Sequence, residues 1–65
     1  MVKTKEFVAW TRPNHHSVPV DDQINLFIRE NDITSENLID IKYAAYVEGV
    51  DNSEGVTQAL LIYKQ

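Results

Sequence analysis

The chain has 65 residues, no cysteine and a formal net charge of −4 from ten acidic and six basic residues. Its length predicts one domain over residues 1–65 with marginal stability, because a domain of roughly 60 residues buries only about 60% of its unfolded surface. The composition excludes disulfides and thiolate zinc sites, and the acidic total argues against a general nucleic-acid binder. We therefore expect a well-filled core or self-association to stabilise the fold.

The N-terminal residues predict a cytoplasmic protein. Residues 2–6 read VKTKE, which lacks the apolar h-region of a signal peptide. No apolar run approaches the roughly 20 residues that a membrane-spanning helix needs. We therefore expect a soluble protein with no membrane partner.

The first predicted strand covers residues 2–10 and begins with a polar stretch. Lysines in such a stretch discourage unwanted pairing, so the pattern favours an edge strand whose buried part is 7–10. Residues 11–19 predict a loop, because Pro13 and Pro19 each remove a backbone donor and bias the preceding residue away from helix. Polar loops of this length often carry binding residues.

Residues 21–30 predict the single helix. Asp21 is the expected N-cap, since its side chain can accept a bond from a free N–H of the first turn. Asn31 is expected to end the helix in the left-handed conformation. The apolar residues fall at i, i+3 and i+4 and form one stripe. They are Ile24, Phe27 and Ile28.

Two further strands are predicted in the second half of the chain. Residues 38–47 alternate well between apolar and polar side chains, and residues 48–55 predict a polar turn. Residues 56–63 are the most continuously apolar run, which is typical of a strand in the middle of a sheet. The face of the second strand that we expect against the helix holds Ile39, Ile41, Tyr43, Ala45 and Val47.

These elements predict an α+β fold in the order β-α-β-β, with a three-stranded sheet and one helix packed on one face. The third strand is central, in the order 1-3-2, so that all neighbouring strands are antiparallel. No element remains to cover the other side of the sheet, which we call the open face. From the second and third strands it is expected to hold Ala44, Tyr46, Val56, Gln58, Leu60, Ile62 and Lys64. From the first strand it holds either Val8 and Trp10 or, in the other register, Phe7 and Ala9.

Large apolar side chains on an open face predict an interface. A half-covered antiparallel sheet normally has a polar outer face, and full burial of one such side chain is worth about 1.5–3 kcal/mol. We expect a second copy, or else an unidentified protein, to cover this face. The alternative is that the loop 11–19 or the C-terminal residues fold over it. The predicted contact residues are Trp10, Tyr46, Leu60 and Ile62.

No motif predicts catalysis, a metal or a cofactor. His15 and His16 form the only histidine pair, whereas a metal site needs three or four ligands. Ser17, His15 and Asp21 lie in one loop without an oxyanion hole, so a nucleophilic triad is not expected. Residues 51–55 lack the alternating ligands of an EF-hand and are better explained as a hairpin turn. Three strands and one helix leave little volume for an enclosed pocket, so the chain is predicted not to be an enzyme. The alternative is an active site between subunits.

Three stretches carry a resemblance, namely 24–28 (INLFI), 38–43 (LIDIKY) and 59–64 (ALLIYK). They are similar to a family of very small proteins of Gram-positive bacteria and their phages, grouped with a small sporulation protein. The resemblance implies a cytoplasmic protein without an assigned activity or catalytic residue. Asp40 and Lys42 match polar positions of that family. We expect them to pair across the sheet or between subunits and to set the register of the interface.

The sequence thus predicts a non-enzymatic protein–protein interaction module that forms a homodimer through the open face. The rival from another class is a small nucleic-acid-contacting regulator. It would use Lys3, Lys5, Arg12 and His15, since mixtures of cationic and aromatic side chains can neutralise and stack on nucleic acid.

Overall fold

The computed structural model describes residues 1–49 and 53–65, and in these ranges it contains one helix and four strands. The strands form one antiparallel sheet in the order β2-β1-β4-β3. Within the described ranges, the helix is too short and too polar to cross a membrane. The bounds in chain order are β1 (Val2–Arg12), β2 (His15–His16), α1 (Val20–Glu30), β3 (Leu38–Glu48) and β4 (Glu54–Lys64).

The predicted β-α-β-β order and three-stranded sheet are wrong, because segment 11–19 is not all loop. The chain turns through Pro13 and Asn14 so that His15 pairs with Arg12, and the order becomes β-β-α-β-β. Asn14 has a φ of 63°, and proline followed by a residue of positive φ is the pattern of a type II turn. Such turns splay the two strands that they join, which accounts for the length of only two residues in β2.

The helix begins one residue before its predicted start. Val20 is its first residue and Pro19 occupies the N-cap position, so the prediction of Asp21 as the cap is wrong. Asp21 and Asp22 lie instead in the first turn, where the helix dipole favours negative charge. The predicted apolar stripe is confirmed, and its members pack in or against the core: Ile24, Phe27 and Ile28.

The helix ends in a Schellman motif. The Ile33 N–H donates to the Ile28 carbonyl at 3.0 Å, and the Asp32 N–H donates to the Arg29 carbonyl at 3.4 Å. These two bonds define the motif, whose left-handed residue follows the C-cap. That residue is Asp32, with a φ of 51°, whereas the predicted Asn31 has a φ of −107°. The prediction therefore placed the left-handed residue one position too early in the chain.

The core lies between α1 and the two inner strands, β1 and β4. Leu61 at its centre is 0% exposed. The Phe27 ring meets Phe7 at 5.7 Å and Tyr63 at 5.6 Å between ring centroids, in both cases edge to face, which is a favoured aromatic arrangement. The buried residues of this core are Phe7, Ala9, Val20, Ile24, Ala59, Leu61 and Tyr63.

The helix leaves β3 uncovered. A helix about 10 Å wide spans two strands at about 4.8 Å spacing, and α1 lies over β1 and β4. The prediction that the apolar face of this strand packs against the helix is therefore wrong. Ile41, Tyr43 and Val47 are 38%, 65% and 59% exposed. Ile39 and Ala45 are exposed as well.

A bulge at the start of β3 brings one side chain of this strand into contact with the core. The register with β4 shifts between Leu38 and Asp40, which places an extra residue, Ile39, on the β3 side. The shift lets Leu38, which pairs with Tyr63, pack against the core. The core therefore receives its one β3 side chain from a residue outside the predicted face.

Leu61→Ala should lower the free energy of unfolding by about 2–5 kcal/mol, because it leaves a cavity at the centre of the core. Leu26, which is 45% exposed on the outer side of the helix, provides the matched control. Leu26→Ala should change the free energy of unfolding by less than about 0.5 kcal/mol. Urea denaturation followed by circular dichroism measures both, and equal losses would contradict this assignment of the core.

Candidate functional site

The register places all six residues of the predicted interface on the open face. Successive residues of a strand point to opposite sides of the sheet, and Leu61 and Tyr63 of β4 face the helix. The even-numbered residues of β4 therefore face away from it. In β1, Val8 and Trp10 face the open side, because Phe7 and Ala9 are buried under the helix. The cross-strand pairs on the open face include Trp10 with Val56, Tyr46 with Val56, Lys42 with Leu60, and Asp40 with Ile62.

Apolar side chains run along the middle of this face. Val56 lies between Trp10 and Tyr46 and is only 8% exposed, although the helix packs on the opposite side. Trp10 on β1 and Tyr46 on β3 therefore cover the Val56 side chain from its two sides. Leu60 and Ile62, further along β4, are half-buried. We call Trp10, Tyr46, Val56, Leu60 and Ile62 the apolar patch.

Charged side chains border the apolar patch. Lys42 Nζ lies 3.3 Å from Asp40 Oδ2, and Arg12 Nε lies 3.3 Å from Glu54 Oε2. Both pairs are largely exposed, so each contributes at most about 1 kcal/mol. The pair of Asp40 and Lys42 forms within β3, and not across strands as one form of the prediction had it.

The turn after β1 builds a cluster around Trp10. Arg12 Cζ lies 4.5 Å from the Trp10 ring centroid, within the range of a cation–π contact, and the His15 ring lies 4.8 Å away between centroids. The backbone N–H of Trp10 donates to Ser17 Oγ at 2.8 Å. These contacts shelter Trp10 in part, whereas Tyr46 at the other border of the apolar patch stays 43% exposed. Segment 11–19 therefore does not cover the patch as a whole.

The sequence predicts Trp10, Arg12 and His15 as part of one aromatic and cationic mixture, but the predicted loop over 11–19 missed the turn and the short strand β2 that bring them into contact. The signal was present in the dipeptide Pro13-Asn14, which has the composition of a tight turn. Recognising that turn would have brought His15 back beside Arg12 and next to Trp10.

The four cationic residues of the rival prediction do not converge. Lys3 and Lys5 lie on the helix side of β1, and Lys5 Nζ is 5.9 Å from the Phe27 ring centroid. Arg12 and His15 lie at the other end of β1, on the open face. At about 3.3 Å per residue, Lys5 and Arg12 are about 23 Å apart along the strand. The arrangement offers no continuous cationic surface to a phosphate backbone.

The residues considered for chemistry are also separated. In the two described ranges, no three His, Cys, Asp or Glu side chains form a group that could hold a metal ion. His15 stacks on Trp10, while the adjacent His16 pairs with Thr11 and points to the helix side. The Ser17 hydroxyl is bonded to the Trp10 backbone. The segment 51–55, which is predicted as a hairpin turn and not as a calcium loop, lies in part outside the described residues, because they do not include residues 51 and 52.

No family model, curated protein or solved structure matches this chain. The resemblance of segments 24–28, 38–43 and 59–64 to the small sporulation-protein group therefore stays a prediction.

Proposed function

We propose that this chain is a non-enzymatic protein–protein interaction module that forms a homodimer through the apolar patch of the open face. The observation that supports this is the apolar patch, in which Tyr46 is exposed and Trp10, Leu60 and Ile62 are half-buried. Val56 lies buried between the two aromatic side chains, and Gln58 separates it from Leu60 along β4. An apolar centre with a charged border is the usual anatomy of a protein interface. As a chain without cysteine, it suits a reducing compartment such as the cytoplasm.

The open face approaches the size that such a contact needs. A stable interface of standard size buries about 800 Å² on each partner, and the whole accessible surface of this chain is 4831 Å². Three strands of eleven residues span about 36 by 14 Å at ordinary strand dimensions. This flat area of about 500 Å² lies just below the lower end of the standard range, which is about 600 Å² on each partner, and side-chain relief enlarges it.

The face is complementary to itself. In a two-fold dimer whose axis runs parallel to β4, β1 of one copy lies over β3 of the other. Trp10 then lies over Tyr46 of the second copy, and two aromatic rings in contact are worth about 0.5–1.5 kcal/mol beyond their burial. Glu6 lies over Lys42 of the second copy, which brings opposite charges together. A patch that matches a copy of itself in both apolarity and charge favours a second copy over an unrelated protein.

Leu60→Asp should lower the mass of the particle, because it puts a carboxylate at the centre of the apolar patch, where burial without a partner is costly. The control is Leu26→Asp, which introduces the same charge on the outer side of the helix and should leave the mass unchanged. Sedimentation equilibrium at high micromolar concentration measures the mass of each variant. Circular dichroism confirms that each variant remains folded.

A wild-type chain that sediments as a monomer would contradict the proposed dimer. So would a Leu60→Asp variant with the same mass as the wild type.

A further inference from the structure

The two outer edges of the sheet are closed to different extents. On the β1 side, Gln23 Nε2 donates to the Val8 carbonyl at 2.9 Å, and the Ser17 N–H donates to the Trp10 carbonyl at 3.0 Å. The helix and the turn thereby satisfy backbone groups that would otherwise face solvent. β3 is the last strand on the other side, and no described strand pairs with its outer edge.

The free edge of β3 runs from Lys42 to Glu48. At its start, the Ile41 N–H donates to Asp40 Oδ1 at 2.8 Å, directly after the bulge. At its end, Gly49 turns the chain with a φ of 88°. The stretch between contains no proline and no bulge. A long regular edge of this kind is a template for another strand.

Apolar side chains flank this edge on both sides of the sheet. Five of the ten exposed large apolar side chains in the described residues belong to β3. Tyr43 and Val47 lie on the helix side, beyond the reach of α1, and Tyr46 lies on the open face. A neighbouring strand would shelter side chains on both sides, and each cross-strand pair contributes about 0.2–1 kcal/mol.

We infer that the edge of β3 pairs antiparallel with β3 of a second copy, with the two-fold axis at Ala45. This residue is the midpoint of the free edge from Lys42 to Glu48, so that every residue of the edge finds a partner. In this register Ala44 lies beside Tyr46 of the second copy, and each bulky ring gains a small neighbour. Tyr43 lies beside Val47 of the second copy, an aromatic and β-branched pair of the kind that stabilises sheets.

The charges of β3 select the same register. Lys42 of each copy lies opposite Glu48 of the other. Within its own chain, Glu48 is opposite Glu54, and like charges in that position are destabilising, so a lysine across the edge relieves the repulsion. Moving the axis to Ala44 would instead place Asp40 opposite Glu48, which adds a second repulsion.

The edge contact goes beyond the proposed function and does not require it. Pairing through β3 joins four strands from each copy into one continuous sheet and leaves both open faces on the same side of it. The face contact and the edge contact therefore use largely different surfaces, with Lys42 and Tyr46 at their common border. The face axis lies over β4 and the edge axis lies outside β3, so the two axes do not intersect, and both contacts together would extend the assembly along the sheet instead of closing it.

Single cysteines test the register directly, because the chain has none of its own. Ala45→Cys should form a disulfide-linked dimer under mild oxidation, since opposed Cα atoms of antiparallel strands lie about 4.5–5.5 Å apart, which a disulfide can bridge. Ala44→Cys is the matched control. It should cross-link about tenfold more slowly, because its Cα lies about 8 Å from its counterpart, beyond the reach of about 7 Å.

Both alanines are exposed, so neither substitution removes a core contact. Non-reducing electrophoresis of the full chain over time gives the two rates. Glu48→Lys in the Ala45→Cys chain should slow cross-linking several-fold, because it places two lysines opposite each other. Ala45→Cys that reacts no faster than Ala44→Cys would overturn the inference.

The same experiment in the Leu60→Asp background separates the edge from the face. Cross-linking of Ala45→Cys at an unchanged rate supports an edge that holds without the face contact, whatever the mass measurements show for the face. Loss of cross-linking in that background would overturn an independent edge contact.

Discussion

The width of one helix governs the surface of this molecule. A helix covers about two strands, and α1 takes β1 and β4 as its floor. The core is accordingly narrow, with Leu61 at its centre and Phe27 between Phe7 and Tyr63. β3 lies beyond the helix, and no element of the described residues covers the open face of the sheet. β3 therefore carries five of the ten exposed large apolar side chains in the described residues.

A small chain without cysteine has few other means of stabilisation. A domain of this size keeps only a few kcal/mol of net stability, and each apolar side chain removed from water is a substantial fraction of it. We propose that a second molecule covers the exposed tyrosines and valine of β3 and the apolar patch of the open face. Association of this kind would add apolar burial that the single chain lacks.

Local sequence patterns predict much of the fold. β4 is apolar on both faces, which predicts a strand in the middle of the sheet, and it does lie between β1 and β3. The spacing of Ile24, Phe27 and Ile28 identifies the helix face that packs on the core. Alternation along β3 predicts which side chains share the open face, among them Tyr46 and Lys42. These features depend on periods of two and 3.6 residues, which a single sequence displays directly.

The features that sequence could not supply depend on tertiary geometry or on single turns. Alternation shows that Tyr43 and Val47 share a side of the sheet, but the position of the helix above that sheet is set by packing between distant residues. The strand at His15 follows from one positive φ at Asn14, and the left-handed residue at the helix end differs from the predicted one by a single position. Such details carry little periodic signal.

The helix leaves β3 uncovered, and we propose that a second molecule covers it. Amide hydrogen exchange, followed residue by residue across a dilution series, tests this most directly. We expect the amides of β4 to be protected at every concentration, and those on the outer edge of β3 between residues 42 and 48 to gain protection as concentration rises. Outer-edge amides of β3 that are as protected as those of β4 at the highest dilution would contradict the account.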